Sequence, residues 1–362
     1  MSFSLNERDR RYEAIRRLMR EAGLDNLVIV GRDSHTARGN LRYVSNHGVN
    51  FGEQYCLFPV DSDPVFLGSP IASSHVRRAG WIHDCVDVTG DSARVIEEIS
   101  RRSHGDSLGL VGIQHLPVPL YLSLREAFPR RIVDSISIFK QLRLVKSQEE
   151  IATIRDSATI ADRAYAAVRE TLQAGISDYE IYGEVSRVIH SMGCEYSMNF
   201  IDGEAAKINF FYPVGNVLRA DSTLALEITP SREGYYAQLT VTIPVTEYPA
   251  HIEPLLPVWR EALDAGVAFL KPGIKADKID RVVTEVVHKH GYTSPLRAGH
   301  GIGLDALEFF SFSATDNTEL MPGMTVAFHP CIATQPGQDG IGMGYTYLIT
   351  DEGAEKLSQV TI

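Results

Sequence analysis

Glu227 and Gln238 stand eleven residues apart on two strand-like runs, Leu224-Ala225-Leu226-Glu227-Ile228 and Gly234-Tyr235-Tyr236-Ala237-Gln238-Leu239-Thr240. A connecting turn that resets the register can bring two such side chains together across a hairpin. Two carboxylates so placed would clamp a pair of divalent cations. Here one of the two is a neutral amide, and an amide supplies no bridging charge. Further along, Gly299-His300-Gly301-Ile302-Gly303 sets an imidazole between glycines.

The elements that must position these groups fall into two regions. At 362 residues the chain exceeds one typical core, so two domains are expected. In the first, Glu7 to Gly23 reads as a helix with Ile15, Leu18 and Met19 on one face and Gly23 as its stop. Asn26 to Gly31 reads as a strand, and residues 56–60 and 64–67 as a hairpin around Asp61-Ser62-Asp63. Helices over 92–102 and 118–128 flank the strand 108–112, which makes residues 1–138 a small α/β domain. The boundary lies near Gln141-Leu142-Arg143-Leu144-Val145-Lys146, and residues 139–362 form the second domain.

That second domain opens on Ser147-Gln148-Glu149-Glu150, a capping box whose Ser and Glu satisfy each other's backbone N–H groups. The long helix it starts runs to Ala174. Ser177-Asp178-Tyr179-Glu180 caps the next helix in the same way. Gly175-Ile176, Ile181, Val185, Val188, Ile189, His190 and Gly193 then recur, 98 residues on, as Gly273-Ile274, Ile279, Val283, Val286, Val287, His288 and Gly291. A duplicated unit of two helices and strands would pack its two half-sheets together, with helices on one face and a site on the other.

Composition narrows the function classes. A net charge of -11 with a pI near 5.6 argues against nucleic acid and anionic membranes as partners. No run of about 18 apolar residues reads as a membrane span, and the N-terminus lacks the apolar core of a signal peptide. Cys56, Cys85, Cys194 and Cys331 are scattered without pairing motifs, as expected of reduced, buried thiols in a cytoplasm.

These features resemble the superfamily of methionine aminopeptidase, aminopeptidase P, prolidase and creatinase. The match rests on residues 142–151, the repeated Gly-Ile turns, Gly234-Tyr235-Tyr236, Gly299 to Gly303, Pro322-Gly323-Met324 and residues 348–353. The resemblance implies an α+β chain: a C-terminal duplicated pita-bread domain, with helices on a curved antiparallel sheet, behind a smaller creatinase-type N-terminal α/β domain. In the metallopeptidases of that group two Asp, one His and two Glu hold two metals. Carried over, those positions are Glu227, Gln238, His300, His329 and Gly344, or Tyr345 if the register slips by one. Two auxiliary histidines become Leu307 and, near the first strand, Phe210. So few anionic oxygens do not offset about four positive charges.

The resemblance places Glu227, His300 and His329 around one cavity, and three expectations compete there. The first is metal-free acid–base chemistry, as the likeness to creatinase implies: a hydrolase, or related lyase or cyclase, acting on a C–N bond of an amidine, guanidino compound or cyclic amide. The charge of Glu227 would bring a histidine pKa near the operating pH. The second is a single Zn or Fe ion on Glu227, His300 and His329. The third is a catalytically inactive small-molecule-binding member, whose polar groups satisfy one another. Candidates to hold a small-molecule substrate are Tyr212, Tyr236, Gln238, Glu308, Tyr345 and Tyr347. Arg297 joins them as a bidentate grip on a carboxylate, or else as a surface ion pair. An aromatic wall that also counts Phe200, Phe210, Phe211, Phe309 and Phe310 would suit a flat or apolar ligand. A homodimer is expected, with Arg32, Asn40 and Tyr43 reaching the partner's site.

Overall fold

A computed structural model of the chain describes residues 3–50, 52–128, 131–203, 211–335 and 339–362. It divides into two compact units, Met1–Arg143 and Leu144–Ile362. Phe210 lies outside the described residues.

In the first unit a six-stranded mixed sheet runs in the order Cys85–Asp87, Val65–Gly68, Glu53–Pro59, Asn26–Arg32, Ser107–Val111, Arg131–Asp134. The first helix spans Leu5–Ala22. The Ser4 hydroxyl accepts from the Glu7 N–H, and Gly23 closes the helix at φ 62, a left-handed position that glycine adopts without a Cβ clash. Asn40 and Tyr43, expected in a loop after the first strand, do not sit in one. They lie buried on a helix, Gly39–Ser45. Asn40 accepts from Arg143 at 2.5 Å, and the Arg11 guanidinium stands 4.3 Å over the Tyr43 ring, so both serve this unit's own core.

The second unit is built from two helix pairs, Gln148–Thr171 with Asp178–Ser191 and Leu255–Val267 with Ala276–Lys289. Both sequence capping boxes form, at Ser147 with Glu150 and at Ser177 with Glu180. The 98-residue repeat is visible in the backbone. Gly175 (φ 92) donates to the Leu218 carbonyl, and Gly273 (φ 81) donates to that of Leu320. Leu218 and Leu320 donate back to Ile176 and Ile274. Positive φ at both turns explains glycine at both.

Each half contributes antiparallel strands. The first half places Thr223–Ile228 between Leu239–Pro244 and Phe200–Asp202. The second runs Glu308–Ser311, Gly299–Gly301, Thr325–Phe328, Tyr345–Ile349, Ala354–Lys356. The halves join where Thr240 and Gly344 exchange backbone hydrogen bonds at 3.0 and 2.9 Å. One face of this sheet, with Leu224, Leu226, Ile228, Val241, Val326, Phe328 and Ile349, packs on the helices in a single apolar core. Each such side chain contributes about 1.5–3 kcal/mol by leaving water. Alternate residues therefore project from the opposite face.

The run Gly234 to Thr240 is not one strand. Glu233 and Gly234 turn the chain at φ 48 and 80, so that Tyr235–Tyr236 folds back on Pro230–Arg232. Two successive positive φ values are those of a tight hairpin turn. Pairing with the Glu227 strand then resumes at Leu239, opposite Ile228. Gln238 lies in the gap. Among the described residues no helix is long and apolar enough to cross a membrane.

Candidate active site

Strand alternation decides which residues share the face away from the helices. Leu226 and Ile228 join the helix-side core, so Glu227 between them points the other way. Cross-strand pairs His300–Ala327 and Ala327–Thr346 put those three on one face, and His329 follows at the same parity. The two imidazoles stand edge to face, with ring centroids 5.4 Å apart. Glu227, His300 and His329 are all buried.

The same alternation corrects two expectations. Tyr345 and Tyr347 pair with Phe328 and Val326 and belong to the helix-side core. The Tyr345 hydroxyl accepts from the Ile362 N–H at 3.0 Å. Thr346, between them, is the residue that faces the site. Its hydroxyl accepts from the Gln238 N–H at 2.7 Å and donates to the Gln238 carbonyl at 3.0 Å. The Gln238 amide donates to the Thr240 hydroxyl at 3.1 Å, and its oxygen is buried without a partner.

Glu308 also differs from expectation. Lys146 holds its carboxylate at 2.9 Å in a fully buried ion pair, and the Asp305 N–H donates to its other oxygen at 3.3 Å. It is engaged by structure and is no free cavity carboxylate. Lys146 itself stood in the sequence only as part of the boundary motif. Tyr236 is buried with Met198, Ile302, Ala306 and Ala327 in a small apolar cluster on the site side. Tyr212 is exposed, 5.4 Å from the Phe200 ring. Arg297 is exposed and forms no ion pair with any described residue.

Burial sets the protonation states. Desolvation pushes the Glu227 carboxyl up to about 7, against the opposing pull of the Arg297 charge. The histidines move the other way from expectation. Burial lowers His300 to about 3, reinforced by His329, and lowers His329 to about 4, reinforced by Arg297. Both imidazoles are neutral at physiological pH, because burial penalises their charged forms and the Arg297 charge adds to that penalty. His300 Nδ1 lies 3.0 Å from the Gly301 carbonyl. Neither ring nitrogen of His329 has a partner on another described residue. Cys331 beside them is a buried thiol raised to about 12 by desolvation.

The donor set on this face can be tested against a pair of divalent cations. At the positions that the likeness assigns to metal ligands it holds one carboxyl, which titrates near neutrality, one amide and two imidazoles. At Gly344 a Cβ would run into the Phe328 carbonyl oxygen and the His329 backbone, so no side chain is accommodated there. Among the described residues no three His, Cys, Asp or Glu side chains are arranged to hold a metal ion. The set does not fit a dinuclear centre, which needs several anionic oxygens.

The fold and this face define a pita-bread domain of the creatinase, aminopeptidase P and prolidase type. The model of metallopeptidase family M24 matches residues 152–351, and that of the creatinase/prolidase N-terminal domain matches residues 11–145. The chain belongs to metallopeptidase family M24, a family of hydrolases. It is 27% identical, over 69% of its length and 72% of theirs, to uncharacterized peptidases of Staphylococcus aureus strains USA300 and MW2. Its fold is that of the X-Pro aminopeptidase from Thermotoga maritima MSB8, with a TM-score of 0.86 at 19% identity over 97% of this chain and 98% of that one. It is likewise that of the prolidase from Pyrococcus horikoshii OT3, with a TM-score of 0.84 at 20% identity over 97% and 99%.

Proposed function

We propose that this chain is a metal-independent hydrolase that cleaves a C–N bond of a small molecule by acid–base chemistry at Glu227. One observation carries the reading: a buried carboxyl, in no ion pair, raised to about 7 on the face that bears two neutral imidazoles. A group titrating near the operating pH is suited both to accept and to return a proton. Water attacks the carbon of the C–N bond and gives its proton to Glu227. The C–O bond forms, the C–N bond breaks, and Glu227 returns the proton to the leaving nitrogen. His300 and His329, uncharged, orient water and substrate through their ring nitrogens. Amidines, guanidino compounds and cyclic amides are the substrate classes of this reading. Related lyase or cyclase chemistry would use the same proton transfers.

The test is turnover across those classes and Xaa-Pro peptides, with a chelator present and with the bound metal content measured. Chelator-resistant turnover with an apparent pKa near 7 in kcat/KM supports the reading. Turnover that needs added manganese or cobalt overturns it. The alternative of one Zn or Fe ion on Glu227, His300 and His329 has in its support only the two unpartnered nitrogens of His329, and would need the three side chains to draw closer than they stand. Stoichiometric metal lost on His329→Ala would support it. Ligand binding without turnover of any class would leave a binding protein. We also propose a cytoplasmic homodimer; sedimentation showing only monomers at micromolar concentration overturns that assembly.

A further inference from the structure

We infer that the site takes an anionic substrate with a flat apolar body, its carboxylate held by Arg297 and its planar part laid against Phe200 and Tyr212. The inference deepens the reading above and relies on it for where the substrate binds.

Phe200 stands directly opposite Glu227 across an antiparallel pair. Directly opposed residues project to the same side with Cβ atoms about 4.5–5.5 Å apart. The Phe200 ring is thus a neighbour of the reactive carboxyl. Tyr212 meets it edge-on, at 66° and 5.4 Å between centroids. On its other side Phe200 packs against the cluster of Met198, Tyr236, Ile302, Ala306 and Ala327. One wall of the site is therefore continuous apolar surface with an aromatic edge. Tyr212 is largely exposed although aromatic, as a ring awaiting a stacking partner would be.

The segment leading into Gly299–Gly301 carries a cation. Arg297 precedes Ala298, whose carbonyl accepts the His329 backbone N–H at 2.8 Å, so its main chain is anchored beside that of His329. Its charge is felt by Glu227, His300, His329 and Cys331. No carboxylate among the described residues lies within ion-pair reach of it. Glu308, the other buried glutamate of this region, is held by Lys146. A guanidinium presents a planar fork that fits a carboxylate in two parallel hydrogen bonds. A cation in no ion pair with a described carboxylate, on the segment that leads into His300, selects for negative charge on the ligand.

The experiment is calorimetric titration of the full chain with benzoate, 4-guanidinobenzoate and the neutral isostere benzamide. It is run on Glu227→Gln, so that binding is read without turnover. Benzoate and 4-guanidinobenzoate should bind more tightly than benzamide. Arg297→Met should weaken the two anions about 10- to 100-fold and leave benzamide unchanged, with Arg297→Lys between. Phe200→Leu should weaken all three. Equal affinity for benzoate and benzamide, no binding of any probe, or an Arg297→Met protein that holds benzoate unchanged would overturn the carboxylate assignment. A Phe200→Leu protein with unaltered affinities would overturn the aromatic one. Binding as expected, with no turnover of any substrate by the wild type, would sink the catalytic reading while this one stands.

Discussion

Glu227 and Glu308 are both buried glutamates of the second unit, and their surroundings make them opposites. Glu308 sits against Lys146 at 2.9 Å, with a backbone N–H on its second oxygen. Glu227 has equal burial, no ion pair, and a carboxyl raised to about 7. Burial alone penalises the charged form; a partner within contact distance restores it. Desolvation leaves a carboxyl that titrates near neutrality at one position, and a counter-ion makes a fixed brace at the other. The proposed proton transfer at Glu227 depends on that difference, because a touching cation would fix its carboxyl in the charged form.

The largest expected effect breaks the Glu227 side of the comparison. Glu227→Gln keeps the shape and removes the proton acceptor, so turnover should fall about 10²- to 10⁴-fold. Folding stability should hold or rise at neutral pH, since an amide buries without a charge. A stability loss, measured by urea titration, would make Glu227 structural and erase the contrast. Next in size is Lys146→Met, which leaves the Glu308 carboxylate buried and alone. Removing one partner of such a pair costs about 3–5 kcal/mol. Lys146→Met/Glu308→Leu should recover most of that. If the single variant unfolds no more easily than wild type, the pair is not the brace described.

The pH dependence of stability sharpens the contrast further. The Glu227 carboxyl titrates at 4.5 in the unfolded chain and at about 7 when folded. Between those values the folded state binds more protons, so this group makes stability fall as pH rises, by roughly 3 kcal/mol in all. His300 and His329 act in the opposite sense. Their folded values of about 3 and 4 lie below the ordinary 6.5. Their contribution is complete above 6.5 and is lost as pH falls toward 4 and below. Subtracting Glu227→Gln from wild type isolates the carboxyl. The difference should grow from pH 4.5 to 7 and then level. A flat difference would return Glu227 to an ordinary acid.

The sequence carried the frame of the fold because its signals are local. Capping boxes at Ser147 and Ser177 need only four consecutive residues, and the Gly-Ile turns announce themselves by recurring at a fixed offset. Glu227, His300 and His329 were singled out through the likeness to a known family, and strand parity sets them on one face. Two kinds of information were not local. Which residues of Tyr345, Thr346 and Tyr347 face the site depends on strand parity, and aromatic size drew attention to the wrong parity. The ion pair between Lys146 and Glu308 spans 162 residues, and no pattern near either predicts it. The histidine protonation states followed the same logic. A neighbouring carboxylate was expected to bring them near the operating pH, but burial of the imidazoles themselves outweighs it, which only the packed structure reveals. The broken strand at Ala237-Gln238 was readable in principle from Glu233-Gly234, a turn pair at the head of the run.

The smallest effect tests how tightly Glu308 is held. A Cβ on Gly303 would lie 2.6 Å from Glu308 Oε2, closer than packing allows. A flexible side chain end would simply swing aside, at little cost. Here Lys146 and the Asp305 N–H pin that end, so Gly303→Ala must displace an anchored carboxylate or shift its own loop. The expected loss is about 1–3 kcal/mol, the usual cost of overpacking. In a Glu308→Ala background the obstructing atoms are gone, and the added methyl should cost almost nothing. The difference between the two backgrounds is the coupling energy of the contact. Equal losses in both would mean that the loop backbone, and not the pinned carboxylate, resists the methyl, and that Glu308 is freer than its ion pair implies.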